Sequence, residues 1–394
     1  MTSNGNARRI AALVMLLAAG ILAGAQLAKI APLVDWYQRE AGYSLVTIGW
    51  LTSTLGLFVA LAALPAAFAI DRVGMYTSFV LSSAALAIGG VMLAAFEAPA
   101  AVLSGRLVEA LGYLVIVIAT PALLAALAPD RLKAPALAVW GGFVPLGYAF
   151  ADFSAAALLP IIAPQAYLMV VALCFALCAA GAAVLSLGLK PAGSDATANR
   201  QSATIGSTFT VPVGAVAAAF GAYVVLSLGF FSFLPSFAGD GTGAILLSAG
   251  FVALLVPFGN VLAGILVEGR SARFIAWLTV VGFLASAASA VPFFSSPDPV
   301  IATASAVVFA IAGGVVASAL FASIPSVVPL GGSVAVGIGL VAQSGGLGTL
   351  VGPPLAGYVI SEFAWSGFGW FLAGISLLGI ACLVPMLRAG PPSA

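Results

Sequence analysis

Twelve stretches of this chain run the length of a membrane crossing with scarcely a charged side chain among them. A helix needs roughly 20 apolar residues to cross the hydrocarbon core of a bilayer. Cutting at charges and turn residues predicts spans at 10–33, 46–70, 75–96, 101–127, 136–159, 166–188, 209–236, 244–267, 274–294, 300–324, 334–358 and 368–387. Only 6% of the residues are charged and 63% are hydrophobic, whereas a soluble domain carries roughly 25% charged residues. A chain so poor in charge has no surface to present to water. It reads as an all-α polytopic membrane protein.

The start, Met1 to Gly24, has the charged leader and apolar run of a signal peptide, but its apolar run continues to about Leu33 without a small-residue cleavage site. It is expected to stay as the first transmembrane helix. Cys174, Cys178 and Cys382 lie inside apolar runs and read as small core residues rather than a metal or redox pair. Histidine is absent, which removes the usual zinc ligand and the imidazole-based catalytic pairings. No nucleotide-binding motif or catalytic constellation stands out. The chain is expected to be neither an enzyme nor an ATP-driven pump, with no cofactor, no metal and no nucleic-acid partner.

Lys and Arg fix the expected orientation. With both termini cytoplasmic, the inner side receives Arg8, Arg9, Arg72, Arg131, Lys133, Lys190, Arg200, Arg270, Arg273 and Arg388, and the outer side keeps only Arg39. Lys190 to Thr208 is polar and rich in Gly, Ser, Thr and Ala, a flexible cytoplasmic linker by composition. It splits the chain into an N-terminal bundle, 1–189, and a C-terminal bundle, 209–394, of six helices each. A repeat supports the split. "AFAIDRVGMY" after the second span and "GILVEGRSAR" after the eighth each put an acid four residues after a small residue, with arginine just beyond. The acids, Asp71 and Glu268, are 197 positions apart, half the chain length.

Twelve spans, a 6+6 division and this loop resemble the major facilitator superfamily along essentially the whole chain. The family loop, G-x-x-x-D-R-x-G-R-[KR], is matched by Asp71, Arg72 and Gly74, while Ala67 and Met75-Tyr76 depart from it. The resemblance implies a gating role for that loop and for Glu268 and Arg270 in the second half. A second family pattern, R-x-x-[QE]-G-x-G, is matched in the fourth span by Arg106, Glu109 and Gly112, with Ala110 in place of one glycine. "GRLVEALGYLVIVIATPALL", "LAVWGGFVPLGYA" and the helix-one "AKIAP" are similar to bacterial cyanate- or nitrate-type porters. That likeness implies a bacterial inner-membrane protein of two pseudo-symmetric six-helix bundles. In this fold the first and fourth helices of each half line a central cavity.

Four charges inside the spans then need an explanation. An ionised residue at a helix centre costs about 2.5–3.5 kcal/mol on insertion scales. At ~1.5 Å per residue, Lys29 sits about 12 Å outward of the midplane, Arg106 about 10 Å, Glu109 about 6 Å and Asp152 about 7 Å. Two cations and two anions thus share one layer, where they can neutralise one another. Two readings stay open: a static ion cluster, or a substrate and coupling site. Under the second, Lys29 and Arg106 bind substrate with Gln26, Tyr113 and Tyr148, and Glu109 or Asp152 carries the coupling proton. Arg106 is expected to be occupied by Glu109 and Asp152, leaving Lys29 free for a substrate.

The spans of the second half hold no ionisable acid or base and contribute Tyr223, Ser227 and Gln343, with Phe220, Phe230 and Phe231 as an aromatic wall. The expected function is secondary active transport of a small solute, an organic or inorganic anion, by alternating access. Protons are the expected coupling ion, the lipid bilayer the expected setting, and a monomer the expected form. Proton-coupled efflux of drugs or metabolites is the alternative within transport. A non-transporting receptor or assembly factor on the same fold is the alternative outside it.

Overall fold

The computed structural model describes residues 3–129, 142–186, 208–239, 245–329 and 334–388, together with Trp140 and Gly332. Its helices are α1 (Ser3–Ala28), α2 (Val34–Arg39), α3 (Leu45–Val73), α4 (Met75–Ala95), α5 (Pro99–Leu127), α6 (Phe143–Leu158), α7 (Pro164–Ser186), α8 (Val211–Gly239), α9 (Ala249–Val267), α10 (Ala272–Ser295), α11 (Pro299–Val327) and α12 (Val334–Arg388). A 3-10 turn, Ala31–Leu33, joins α1 to α2. Among the described residues ten helices are long and apolar enough to cross a membrane, α6 is shorter, and α12 has the length of two crossings. These accommodate the twelve passes that hydropathy predicts.

Helix starts follow local chemistry. Proline opens α5 and α11, where a missing N–H costs nothing. Asp298 caps α11 by accepting from the Val300 N–H at 2.8 Å, and Ser248 and Ser271 cap α9 and α10. Long apolar side chains such as Leu81, Leu111, Leu173, Val281 and Leu377 point outward. On a membrane protein that is the lipid-facing surface.

The expected break between the eleventh and twelfth spans, at 359–367, is much sharper in the structure. Helix α12 runs through it and is interrupted only at Ala364, whose φ of 55° and ψ of −171° are non-helical. Trp365 then enters an aromatic cluster with Phe237, Phe294 and Phe368. Anchoring that ring lets one residue, rather than a loop, turn the chain. The fifth span is expected from 136, but α6 begins at Phe143, and 130–139 lie outside the described residues.

The chain divides into two compact units. The first holds Met1–Tyr43 and Leu57–Asn199, the second Ser44–Gly56 and Arg200–Ala394. The first part of α3, to Gly56, therefore groups with the second unit rather than with 1–189. The cause is close packing of small residues. A Cβ on Gly49 would lie 2.6 Å from the Pro353 carbonyl oxygen, and one on Gly56 would lie 2.7 Å from Thr349. The linker expected at 190–208 falls, but for Thr208, outside the described residues.

Each unit repeats one set of neighbours. In the first, α4 packs on α5 and α7, and α1 on α6. In the second, α10 packs on α11 and α12, and α8 on α12. Within lipid no hydrophobic drive pulls helices together, so small residues that let backbones touch supply the packing. Gly24 and Gly147 do this between α1 and α6, where a Cβ on either would overlap the other helix's backbone. Gly348 does it against the Gly221 carbonyl in the second unit, at 2.6 Å.

Candidate functional site

The first unit holds a buried ion triad whose position begins with Pro32. Proline has no N–H to offer the Ala28 carbonyl, so α1 ends there and the chain tightens into the 3-10 turn. Lys29 follows the helix end directly, its own N–H still bonded to the Ala25 carbonyl at 2.7 Å. The last carbonyls of a helix lack partners and carry the negative end of its dipole. Arg106 of α5 supplies one partner, its guanidinium donating to the Gln26 carbonyl at 3.1 Å. Two cations thus gather where the helix end favours positive charge.

Glu109 joins them. The Lys29 ammonium donates to one oxygen of its carboxylate, and Arg106 donates to the other at 2.7 Å. All three side chains have no solvent exposure. An ion pair buried to this extent is held only if hydrogen bonds satisfy it closely. The three charges sum to one positive. This departs from the expectation for Lys29: its ammonium is not left over for a substrate, because Glu109 gives each cation its own oxygen.

Glycine makes the space. A Cβ on Gly89 of α4 would overlap Glu109 Cγ, and one on Gly90 would lie 3.4 Å from its Oε1. Gly105 on α5 allows the same close approach, with Met92 Cβ 2.9 Å from where its own Cβ would be. These glycines are absent from the sequence-based site, since small residues abound in any such chain.

Tyr37 of α2 was also missed, lying beyond the expected end of the first span. Its side chain is buried, in the electrostatic field of Arg106 and Glu109, and stacks on Tyr43 with ring centroids 5.3 Å apart. Tyr43 in turn donates to the Glu97 carbonyl at 2.5 Å. Among the described residues the Tyr37 hydroxyl has no hydrogen-bond partner, and neither end of the Gln26 carboxamide has one. Gln26 is fully buried.

The remaining expected residues take varied places. Tyr113 and Tyr148 are buried with their phenols near each other. Asp152, one turn beyond Tyr148 on α6, is half-buried and within electrostatic reach of Tyr167 on α7. In the second unit Tyr223 is buried and hydrogen-bonded to the Ser227 side chain, and Gln343 is half-buried on α12. Of the expected aromatic wall, Phe220 packs edge-on against Phe321, while Phe230 lies in the unit's core, 4.2 Å from Phe309. In the loop residues, Arg72, Glu268 and Arg270 are exposed, and Gly74 turns the chain at φ 92°. The side chain of Asp71 lies outside the described set.

Comparison with known proteins agrees with this architecture. The sequence model described as "Major Facilitator Superfamily" matches residues 15–336. No curated protein matches the sequence. Two solved structures of a bacterial homolog to the human lysosomal transporter Spinster are similar in fold. The inward-facing, occupied one has a TM-score of 0.71 at 18% identity, covering 95% of this chain and 93% of that one. The inward-facing, unoccupied one has 0.71 at 20%, covering 96% and 95%. The nucleoside transporter NupG gives 0.72 at 15%, covering 97% and 100%. At these identities the likeness is one of fold alone.

Proposed function

The chain belongs to the major facilitator superfamily, and from that membership we propose that it is a secondary transporter moving a small monoanion together with a proton. The observation that carries this reading is Glu109 holding Lys29 and Arg106 on its two oxygens, out of contact with solvent. Protonation of Glu109 would cancel the charge that holds both cations. They would then be available to an anion in its place. Proton and anion loading together return the buried charge to its resting value. Loading either alone shifts it by one unit in a low-dielectric setting, where that is costly. The two are therefore coupled by electrostatics, without a separate latch.

Arg106 offers a planar fork and Lys29 a compact point charge, a pairing that suits a carboxylate or a small inorganic anion. The resemblance to cyanate- or nitrate-type porters agrees with this class. Gln26, Tyr113 and Tyr148 are the further substrate-binding residues of this reading in the first unit and Tyr223, Ser227 and Gln343 those in the second, with Asp152 as a second proton carrier. The reading includes two bundles, 1–189 and 209–394, joined by a cytoplasmic linker, rocking about the site in alternating access. It also includes a monomer in a bacterial inner membrane with both termini cytoplasmic.

The test is flux in liposomes holding the purified full chain. An inward proton gradient should drive accumulation of a labelled monoanion, and Lys29→Gln should weaken its binding by about tenfold or more, with Lys29→Arg restoring it in part. Transport of uncharged or cationic solutes with monoanions excluded, unchanged by Lys29→Gln, would defeat the proposal.

A further inference from the structure

Near the triad, two buried polar side chains have no hydrogen-bond partner among the described residues. The Tyr37 hydroxyl is buried without a partner, and so are the oxygen and nitrogen of the Gln26 carboxamide. Both belong to the neighbourhood of Arg106, which bonds the Gln26 backbone carbonyl and shares its field with the Tyr37 phenol. Buried polar atoms in folded proteins are almost always paired, so the unpaired groups of Tyr37 and Gln26 call for an account. Packing gives none here, since phenylalanine at 37 would stack on Tyr43 equally well and an apolar residue would fill position 26. The unpaired groups also have a definite chemistry. A carboxamide offers two donors and an acceptor, and a phenol offers one of each. A neutral group that both donates and accepts, such as an alcohol hydroxyl, satisfies them together.

Resting on the monoanion reading above, we infer that Tyr37 and Gln26 are specificity-determining residues that bind a hydroxyl on the transported anion. The solute class is thus a small hydroxylated monoanion. Its charged end lies on Lys29 and Arg106 and its hydroxyl between the phenol and the carboxamide. A site built to hydrogen-bond a hydroxyl rejects the analogue that lacks it, because its own polar groups then stay unpaired.

Lactate and propanoate differ by that one hydroxyl, and their binding to the purified full chain can be measured by calorimetry at a fixed, mildly acidic pH. The wild type should prefer lactate by at least about tenfold. Tyr37→Phe, which keeps the ring stack, should bring lactate down near propanoate and leave propanoate within about twofold. Gln26→Met should do the same and carries the test if the Tyr37 variant does not fold. Equal wild-type affinity for the two acids overturns the hydroxyl site and leaves the monoanion reading standing. Equal weakening of both acids by Tyr37→Phe shows a structural role and overturns it too. Should the wild type bind neither acid, the hydroxyl inference fails, and nitrate in the same experiment decides the monoanion reading, which stands if nitrate binds and fails if it does not.

Discussion

Lys29 and Glu109 stand 80 positions apart and form one buried ion pair at the level where α1 stops being helical. The other oxygen of Glu109 is held by Arg106, one turn earlier on its own helix. A single carboxylate therefore bonds two cations, and under the proposed function its charge state decides what they can bind. Several measurements follow from that dependence.

Glu109→Gln keeps the shape of the site and removes its only bridging charge. Leaving partners of a buried ion pair uncompensated costs about 3–5 kcal/mol. The variant should melt lower and should not accumulate substrate down a proton gradient. Adding Lys29→Gln should recover much of the stability without restoring accumulation. Wild-type accumulation by Glu109→Gln would show that the coupling proton sits elsewhere, with Asp152→Asn the next variant to assay.

Gly89→Ala tests how the carboxylate is held. The new methyl would overlap Glu109 Cγ, and overpacking of this kind costs about 1–3 kcal/mol. Transport should fall sharply in the variant. If Gly89→Ala transports normally, α4 does not position Glu109.

Much of this was readable from the sequence, and the limits have physical causes. The apolar runs locate the helices because membrane spans must be both long and apolar, and the charges inside them stand out because lipid penalises charge. Pairing is different. Nothing local tells Lys29 that its partner is Glu109 rather than an incoming anion, since that depends on how α1 ends and how closely α4 lets α5 approach. Tyr37 was invisible for a related reason: "DWYQRE" is polar enough to read as a loop, and only the turn at Pro32 folds it back over the charges. The single-residue break at Ala364 escaped because alanine carries no turn signal.

That alanine gives a separate test of stability. A φ of 55° with ψ near −171° is a conformation that glycine tolerates and other residues reach at a cost of about 1–3 kcal/mol. Ala364→Gly should therefore raise the melting temperature, with transport unchanged. A lower melting temperature would show that Trp365 and its aromatic neighbours have already relaxed the strain.

The loop between α3 and α4 should control rate and leave affinity alone. Gly74 adopts φ 92° between α3 and α4, a conformation that disfavours any side chain. Gly74→Ala and Asp71→Asn should each slow transport while keeping equilibrium substrate binding within a few-fold. Binding assays on the same preparations decide it, because a large loss of affinity would move these residues from the gate to the substrate site.

Pro32 has a mechanical consequence. Because it leaves the Ala28 carbonyl without its helical donor, the first membrane segment is two levers rather than one rod, and Lys29 stands at the fulcrum. The helix after the junction carries Tyr37, and the one before it carries Gln26. Tyr37 and Gln26 therefore sit on separate helices, and the ion pair to Glu109 is made where those helices meet. Replacing Pro32 with alanine would return an N–H to the Ala28 carbonyl and let one helix run through the junction.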